Sequence, residues 1–412
     1  MKNSVEIIKK AEKDLQEQFA IIDEIRDFNQ EKVLQAFIDN RVATEHFYTV
    51  SGYGHDDLGR EVLDKVFAQV FNAEKALVRI HFASGTHTLA CALFGNLKHG
   101  DKLLSVAGTP YDTMQEVIGT MGDEETRRAS LIGNGILYDE VPLINDTDID
   151  FDKLEQMVDN GTTMVLIQRS KGYSTRKSLT IETIEKICKI VKKKNPECIC
   201  FVDNCYGEFT DTKEPLEVGA DLIGGSLIKN PGGGIVEAGG YIAGKELFVE
   251  RSAIRLTAPG IGSEGGAMFN QHRLMFQGLF MAPSVVADAV KGAVLASKIF
   301  DEIGYDSSPK FNEKRTDIIQ NITFGNPEHL EEFCRTIQSL SPVNGYVTPI
   351  PEYIPGYEDK VIMAGGTFIE GSTIELSADG PMRAPYVAYM QGGLNYAHVK
   401  IALKRFLNKI CN

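Results

Sequence analysis

The stretch Cys198-Ile-Cys-Phe-Val-Asp203-Asn-Cys-Tyr-Gly-Glu208 sets five apolar residues directly against a carboxylate. So short and continuous a run reads as a strand buried on both faces, the kind found in parallel sheets covered by helices. A carboxylate at the end of such a strand must be paired, because a lone buried charge is expensive. Cys198, Cys200 and Cys205 crowd the segment, yet no Cys-x-x-Cys pair or nearby His completes a zinc set, so no metal is expected. Free cysteine is commonly buried, and that is how these read.

Outward from this strand the chain alternates. Ala76–Ile80, Lys102–Val106 and Met164–Ile167 read as strands upstream and Asp221–Leu227 downstream, with helices at 86–97, 112–121 and 180–194. That alternation implies right-handed crossovers and a mainly parallel sheet covered on both faces, an α/β fold. Ligands of such sheets collect in the loops after the carboxyl ends of strands. The residues following Ile80, Val106, Ile167, Val202 and Leu227 are therefore the places to look. Residues 4–40 carry apolar positions at helical spacing among many charges, an amphipathic arm. A long Ala/Val-rich helix is expected at about 284–303, then a helix at 327–339 and turn-rich strands. The 412 residues thus divide into an N-terminal helical arm (1–50), a large domain (51–299) and a small C-terminal domain (300–412).

Four of those strand ends carry chemistry. Ala83-Ser84-Gly85-Thr86-His87 opens a helix and offers backbone N–H groups and the positive dipole end to an anion. Read alone, the same turn is an ordinary Ser or Thr N-cap. Tyr111, after Gly108-Thr-Pro, is placed to stack on a flat ring, and its hydroxyl could act as an acid. Asp203 could meet a protonated pyridine nitrogen, an Arg or a metal. Lys229, in Ser226-Leu-Ile-Lys-Asn-Pro-Gly-Gly-Gly234, could capture a cofactor carbonyl, although alone it reads as a surface lysine. Together they supply a phosphate anchor, a ring face, a counter-charge and an amine, which are the needs of pyridoxal phosphate (PLP).

Several motifs carry a closer resemblance. Ser51-Gly-Tyr-Gly, Asp203-Asn-Cys-Tyr-Gly-Glu208, Gly225-Ser-Leu-Ile-Lys-Asn-Pro-Gly-Gly-Gly234, Arg255-Leu-Thr-Ala-Pro-Gly-Ile-Gly262 and Gln391-Gly-Gly-Leu-Asn395 span roughly residues 50–400. They are similar to fold-type I PLP enzymes of the cystathionine/methionine lyase group, in the methionine γ-lyase-like branch of aluminium-resistance carbon–sulfur lyases. The resemblance implies a large domain with a mainly parallel seven-stranded sheet and a smaller C-terminal α/β domain. It further implies Lys229 as the Schiff-base lysine, Asp203 as partner of the ring nitrogen, and Tyr111 as the stacking ring. Ser84, Gly85, Thr86 and Ser226 would hold the phosphate, with Tyr206 also at the cofactor, and Arg383 would take the substrate α-carboxylate. In the better-known lyases a Tyr and an Arg two residues apart reach the phosphate of the neighbouring subunit. This sequence departs from that pattern, since Tyr53 is followed by Gly54-His55 and the next Arg is Arg60. Carried onto Tyr53 and Arg60, that role implies a homodimer or homotetramer with the site at the subunit interface.

The reaction implied is expulsion of a thiol from cystathionine, cysteine or methionine, giving a 2-oxo acid and ammonia. An aminotransferase, a γ-replacement synthase and a PLP-binding regulatory protein share much of the pattern and stay open. Gly260-Ile-Gly262-Ser-Glu-Gly265 matches a dinucleotide fingerprint but follows no strand, so its context fails. With 43 Lys plus Arg against 57 Asp plus Glu, a net charge of −14, nucleic acid is a poor partner. No long apolar run suggests a membrane span or a secretion signal. Seven scattered cysteines suggest no disulfide framework, and a reducing cytoplasm is expected.

Overall fold

In the computed structural model, which describes residues 4–172, 174, 176–353 and 359–410, two sheets are bridged by one long helix. The chain opens with α1 (Ser4–Asp14), α2 (Gln16–Asp39) and α3 (Leu58–Val70), which leads into β1 (Lys75–Arg79). There follow α4 (Gly85–Asn96), β2 (Lys102–Ser105), α5 (Asp112–Ile118), α6 (Glu124–Ala129), β3 (Leu137–Glu140) and the hairpin β4 (Leu143–Ile144) and β5 (Asp148–Ile149). Then come α7 (Phe151–Met157), β6 (Thr162–Gln168), α8 (Ile181–Lys194), β7 (Ile199–Asp203), β8 (Leu222–Ser226), β9 (Gly240–Gly244) and α9 (Glu246–Leu256). Helix α10 (His272–Glu302) crosses to β10 (Asp306–Ser308), β11 (Ile319–Thr323), α11 (Pro327–Ser339), β12 (Val361–Ala364), β13 (Ser377–Pro381), β14 (Val387–Gln391) and α12 (Tyr396–Ile410).

The large sheet has seven strands in the order β1-β9-β8-β7-β6-β2-β3. Strands β8, β7, β6, β2 and β3 pair in parallel, while β9 runs antiparallel to both β1 and β8. Side chains alternate across the strands as the pleat requires. Val165, Ile167, Val202 and Ile223 pack into one core, and Leu103, Met164, Leu166, Phe201 and Leu222 into a second on the opposite face. Both faces are therefore buried, which is why β7 reads as a continuous apolar run. The small sheet, β10-β11-β14-β13-β12, is antiparallel throughout.

Helices begin where their caps demand. The side chains of Ser84, Thr180 and Asn326 accept from the backbone N–H groups of His87, Thr183 and His329 at the starts of α4, α8 and α11. The long helix departs from expectation: it starts at His272, twelve residues earlier than the 284 read from the sequence. Pro283 stands inside it, where its ring ordinarily breaks an isolated helix. Here Leu279, Ala282 and Val286 are fully buried around it, and core packing overrides the local preference. This is the one helix among the described residues long and apolar enough to cross a membrane, and most of it is buried inside the molecule.

Candidate active site

The carboxyl ends of β2, β6, β7 and β8 open into a cavity of about 650 Å³ between the large sheet and the small one. Ser84, Gly85, Thr86, Tyr111, Asp203, Tyr206, Ser226, Lys229 and Arg383 all line it.

One end is a polar cradle. Ser84 Oγ accepts from His87 N–H at 3.0 Å, the Thr86 and Thr113 hydroxyls meet at 3.1 Å, and buried Ser226 closes the far side. A Cβ on Gly85 would stand 3.2 Å from Ser226 Cβ, so glycine is what lets the two segments approach. The cradle sits at the N-terminus of α4, where free N–H groups favour an anion.

Asp203 closes β7 at the cavity floor, with Oδ1 accepting from Cys205 N–H at 3.1 Å. Burial pushes its carboxyl up, partly offset by the charge of Lys229. Among the described residues no direct ion pair reaches Asp203, and the positive charges of Lys229 and Arg176 act on it from farther off. Lys229 Nζ lies 4.0 Å from the centroid of the Tyr206 ring, a cation–π contact. Burial lowers its ammonium pKa, but Cys205, Tyr206 and Asp203 outweigh that and hold the group above the ordinary lysine value. Tyr206 itself takes a left-handed backbone, φ 71°, rare for an aromatic residue. Asn230, next to Lys229, fixes it there by donating to the carbonyls of Tyr206 (2.9 Å) and Glu208 (3.0 Å). Tyr111 caps α5, its N–H donating to Gln168 Oε1 at 3.3 Å, and burial keeps its hydroxyl well above the usual phenol range.

Behind this floor Arg169 is fully buried, donating to Asn204 Oδ1 at 2.7 Å and pairing with Glu214 at 3.3 Å. Gly207 leaves room for that guanidinium. Glu208 accepts from Tyr241 O–H at 2.8 Å, and burial pushes its carboxyl up to about 8. On the opposite wall Arg383, between β13 and β14, is 58% exposed and pairs with Asp359 at 3.2 Å.

The two residues expected to reach a neighbouring subunit's cofactor do not line the cavity of their own chain. Arg60 is buried in its own subunit, its guanidinium donating to the carbonyls of Gly54 (2.6 Å), Glu264 (3.0 Å) and Gly266 (3.1 Å). With those contacts it braces a loop. Tyr53, on the loop so braced, is 83% exposed. Conversely, Gln168, Lys171 and Arg176 line the cavity without having been singled out, and Cys205, read from the sequence only as a buried thiol, lines it too. The strand-end rule pointed at the residues after Ile167, but no motif marked Gln168 or Lys171 there.

The residues fit PLP on two observations of the cavity itself: a buried carboxylate in no direct ion pair among the described residues, and a Gly85–Ser226 cradle that a side chain would fill. Fold and site together define the class, the fold-type I architecture of PLP-dependent enzymes. That fold is shared with yeast cystathionine γ-lyase, at a TM-score of 0.59 and 17% identity over 86% of each chain. The chain belongs to the methionine gamma-lyase family, whose model matches residues 4–411. Protein YnbB of Bacillus subtilis (strain 168) is 49% identical over 93% of this chain and 90% of its own. A carbon–sulfur lyase involved in aluminum resistance from Clostridium novyi NT is 50% identical, TM-score 0.94, over 99% of this chain and 96% of its own. A Listeria monocytogenes protein described as involved in aluminum resistance is also 50% identical, TM-score 0.96, over 98% and 99%.

Proposed function

We propose that the protein is a PLP-dependent carbon–sulfur lyase, expelling a thiol from a sulfur amino acid to give a 2-oxo acid and ammonia. The observation that carries this is the convergence of Lys229, Asp203 and Tyr111 on one cavity at the strand ends. When bound, the cofactor supplies an electron sink for negative charge at the substrate Cα. Ser84, Gly85, Thr86 and Ser226 would hold its phosphate, Asp203 would pair with the protonated ring nitrogen, and Tyr111 and Tyr206 would fix the ring. The Lys229 amine then accepts the proton from Cα. The Tyr111 hydroxyl, kept protonated by burial, donates its proton to the departing sulfur as the C–S bond breaks. Arg383 offers a planar fork to the α-carboxylate in exchange for its contact with Asp359.

The working unit in this reading is a homodimer or homotetramer. Tyr53 is exposed, as are the apolar side chains of Tyr48, Leu58, Ile261 and Phe269, and exposed apolar side chains suit a second copy. Arg60 would act there by positioning the Tyr53 loop. The division at 1–50, 51–299 and 300–412 places the cavity between the two larger parts. A reducing cytoplasm is supported by six described cysteines, all buried free thiols; Cys411 lies outside the described residues.

The test is to purify the protein, record the visible absorbance band of bound PLP, and assay cystathionine, cysteine and methionine for 2-oxo acid without any keto-acid acceptor. Product formation that depends on the band supports the lyase. A colourless protein that PLP does not change, or turnover only with an acceptor, overturns it.

A further inference from the structure

A second cavity, of about 430 Å³, lies between helices α2 and α10 and the segment joining β10 to β11. It shares no lining residue with the cavity of Lys229. Its walls are apolar: Ile22 and Ile25 from α2, Val286, Val290 and Val294 from α10, and Phe209 beyond β7. A space of this size with apolar walls and a few polar groups suits a small organic molecule. Of the charged residues that line it, only Arg315 is buried, at 7% exposed. Its Nη2 donates to Pro309 O at 3.3 Å, while its Nε and Nη1 have no partner among the described residues. Burial lowers the guanidinium to about 10, although Asp317 and Glu313 act against it from beyond ion-pair distance. Asp317 is engaged elsewhere, accepting from the hydroxyls of Ser170 and Ser178 and from Ile319 N–H. Unspent N–H donors on a buried guanidinium are costly, and a carboxylate is the group that meets them best.

The rim tells what else the ligand carries. Glu17 and Glu313 are exposed there, and among the described residues neither is in an ion pair. Glu313 accepts from Lys310 N–H at 2.6 Å. The other two cations of the lining are committed, Lys314 to Glu182 and Asp211, and Arg26 to Asp23 and Asp27. On the α2 wall Gln18 Oε1 is buried with no donor among the described residues. These oxygens would repel a plain anion and suit an ammonium. A carboxylate for Arg315, an ammonium for the oxygens and an apolar body for the walls together describe an amino acid.

We propose that this cavity is a second, non-catalytic binding site for a free amino acid with an apolar side chain, its carboxylate held by Arg315. The site does not rest on the lyase reading, and its occupancy can be measured without turnover. Calorimetry on the PLP-loaded protein compares L-leucine with 4-methylpentanoate, the same skeleton without the ammonium. Leucine entering the first cavity would alter the visible band of bound PLP, so absorbance is followed in the same titration. The expected result is one leucine per chain that leaves the band unchanged, with a Kd of about 1 mM or tighter. 4-Methylpentanoate should bind about tenfold more weakly. Arg315→Met should weaken the band-silent leucine at least about tenfold while the PLP band is retained. Ala287→Leu, which fills the cavity from α10, should abolish it. Glu313→Gln is a surface change that spares folding, and it should weaken leucine but not 4-methylpentanoate. Absence of band-silent binding, equal affinity for 4-methylpentanoate, or leucine affinity that Arg315→Met and Glu313→Gln leave unchanged overturns the site.

Discussion

The wall of the cavity built on the large sheet and the wall built on the small one hold their functional groups in different ways. Asp203, Ser226 and Lys229 sit at or just beyond the ends of parallel strands, the first two buried and the lysine half-buried, backed by the Arg169–Glu214 pair. Arg383 projects from a connection between antiparallel strands, more than half exposed and tied by one ion pair to Asp359. Exposed pairs of that kind contribute little and are screened by salt. A cofactor that stays bound through every turnover is thus met by a preorganised wall, and a substrate that comes and goes by an adaptable one.

That contrast can be broken or sharpened by experiment. Lys229→Ala should abolish the PLP absorbance band and lower turnover by roughly 10³-fold or more; a variant that keeps both would remove the lysine from the chemistry. Asp203→Asn preserves shape but not charge and should reduce kcat by about 10²-fold, with little change in KM, as measured by steady-state kinetics. Arg383→Ala should act the other way round, raising KM about tenfold at nearly constant kcat, and thermal unfolding should barely notice it. Gly207→Ala tests the rigidity directly. The added methyl collides with the buried Arg169 side chain and should cost about 1–3 kcal/mol, seen as a lower Tm.

The smallest effect concerns Glu208, behind the rigid wall. Its carboxyl is raised from 4.5 to about 8 in the folded chain. The folded state therefore holds a proton that the unfolded state has released, and stability must fall as pH rises between those values. Glu208→Gln should flatten the fall of Tm between about pH 5 and pH 8; an unchanged slope would mean the carboxyl is ionised in place.

The rigid wall was also the legible one. An apolar run ending in Asp203 and a glycine-rich loop after Lys229 are written locally, because a parallel strand and the turn after it occupy consecutive residues. Gly85 could be named for the same reason, whereas Ser226 was named through the family resemblance. What escaped was set by tertiary neighbours. Lys171 is indistinguishable in sequence from a solvated lysine, and its burial, with Nζ donating to Ser308 O, is set by residues distant in the chain. The bracing contacts of Arg60 were not legible because its carbonyl partners at Glu264 and Gly266 lie some two hundred positions away. Strand β9 and the early start of α10 were missed likewise, one for its glycines and the other for Pro283.

The 3.2 Å approach between a Cβ at Gly85 and Ser226 has a consequence for how the chain reaches its working state. The two halves of the phosphate cradle are about 140 residues apart and meet only after β8 has joined the interior of the sheet. Contacts of such high order form late in folding, since the loop between them must close first. Nascent chain that stops short of Ser226 has no cradle to offer. Cofactor uptake is therefore a report on a finished sheet, and excess PLP should stabilise completed molecules selectively, drawing the folding equilibrium toward them by mass action.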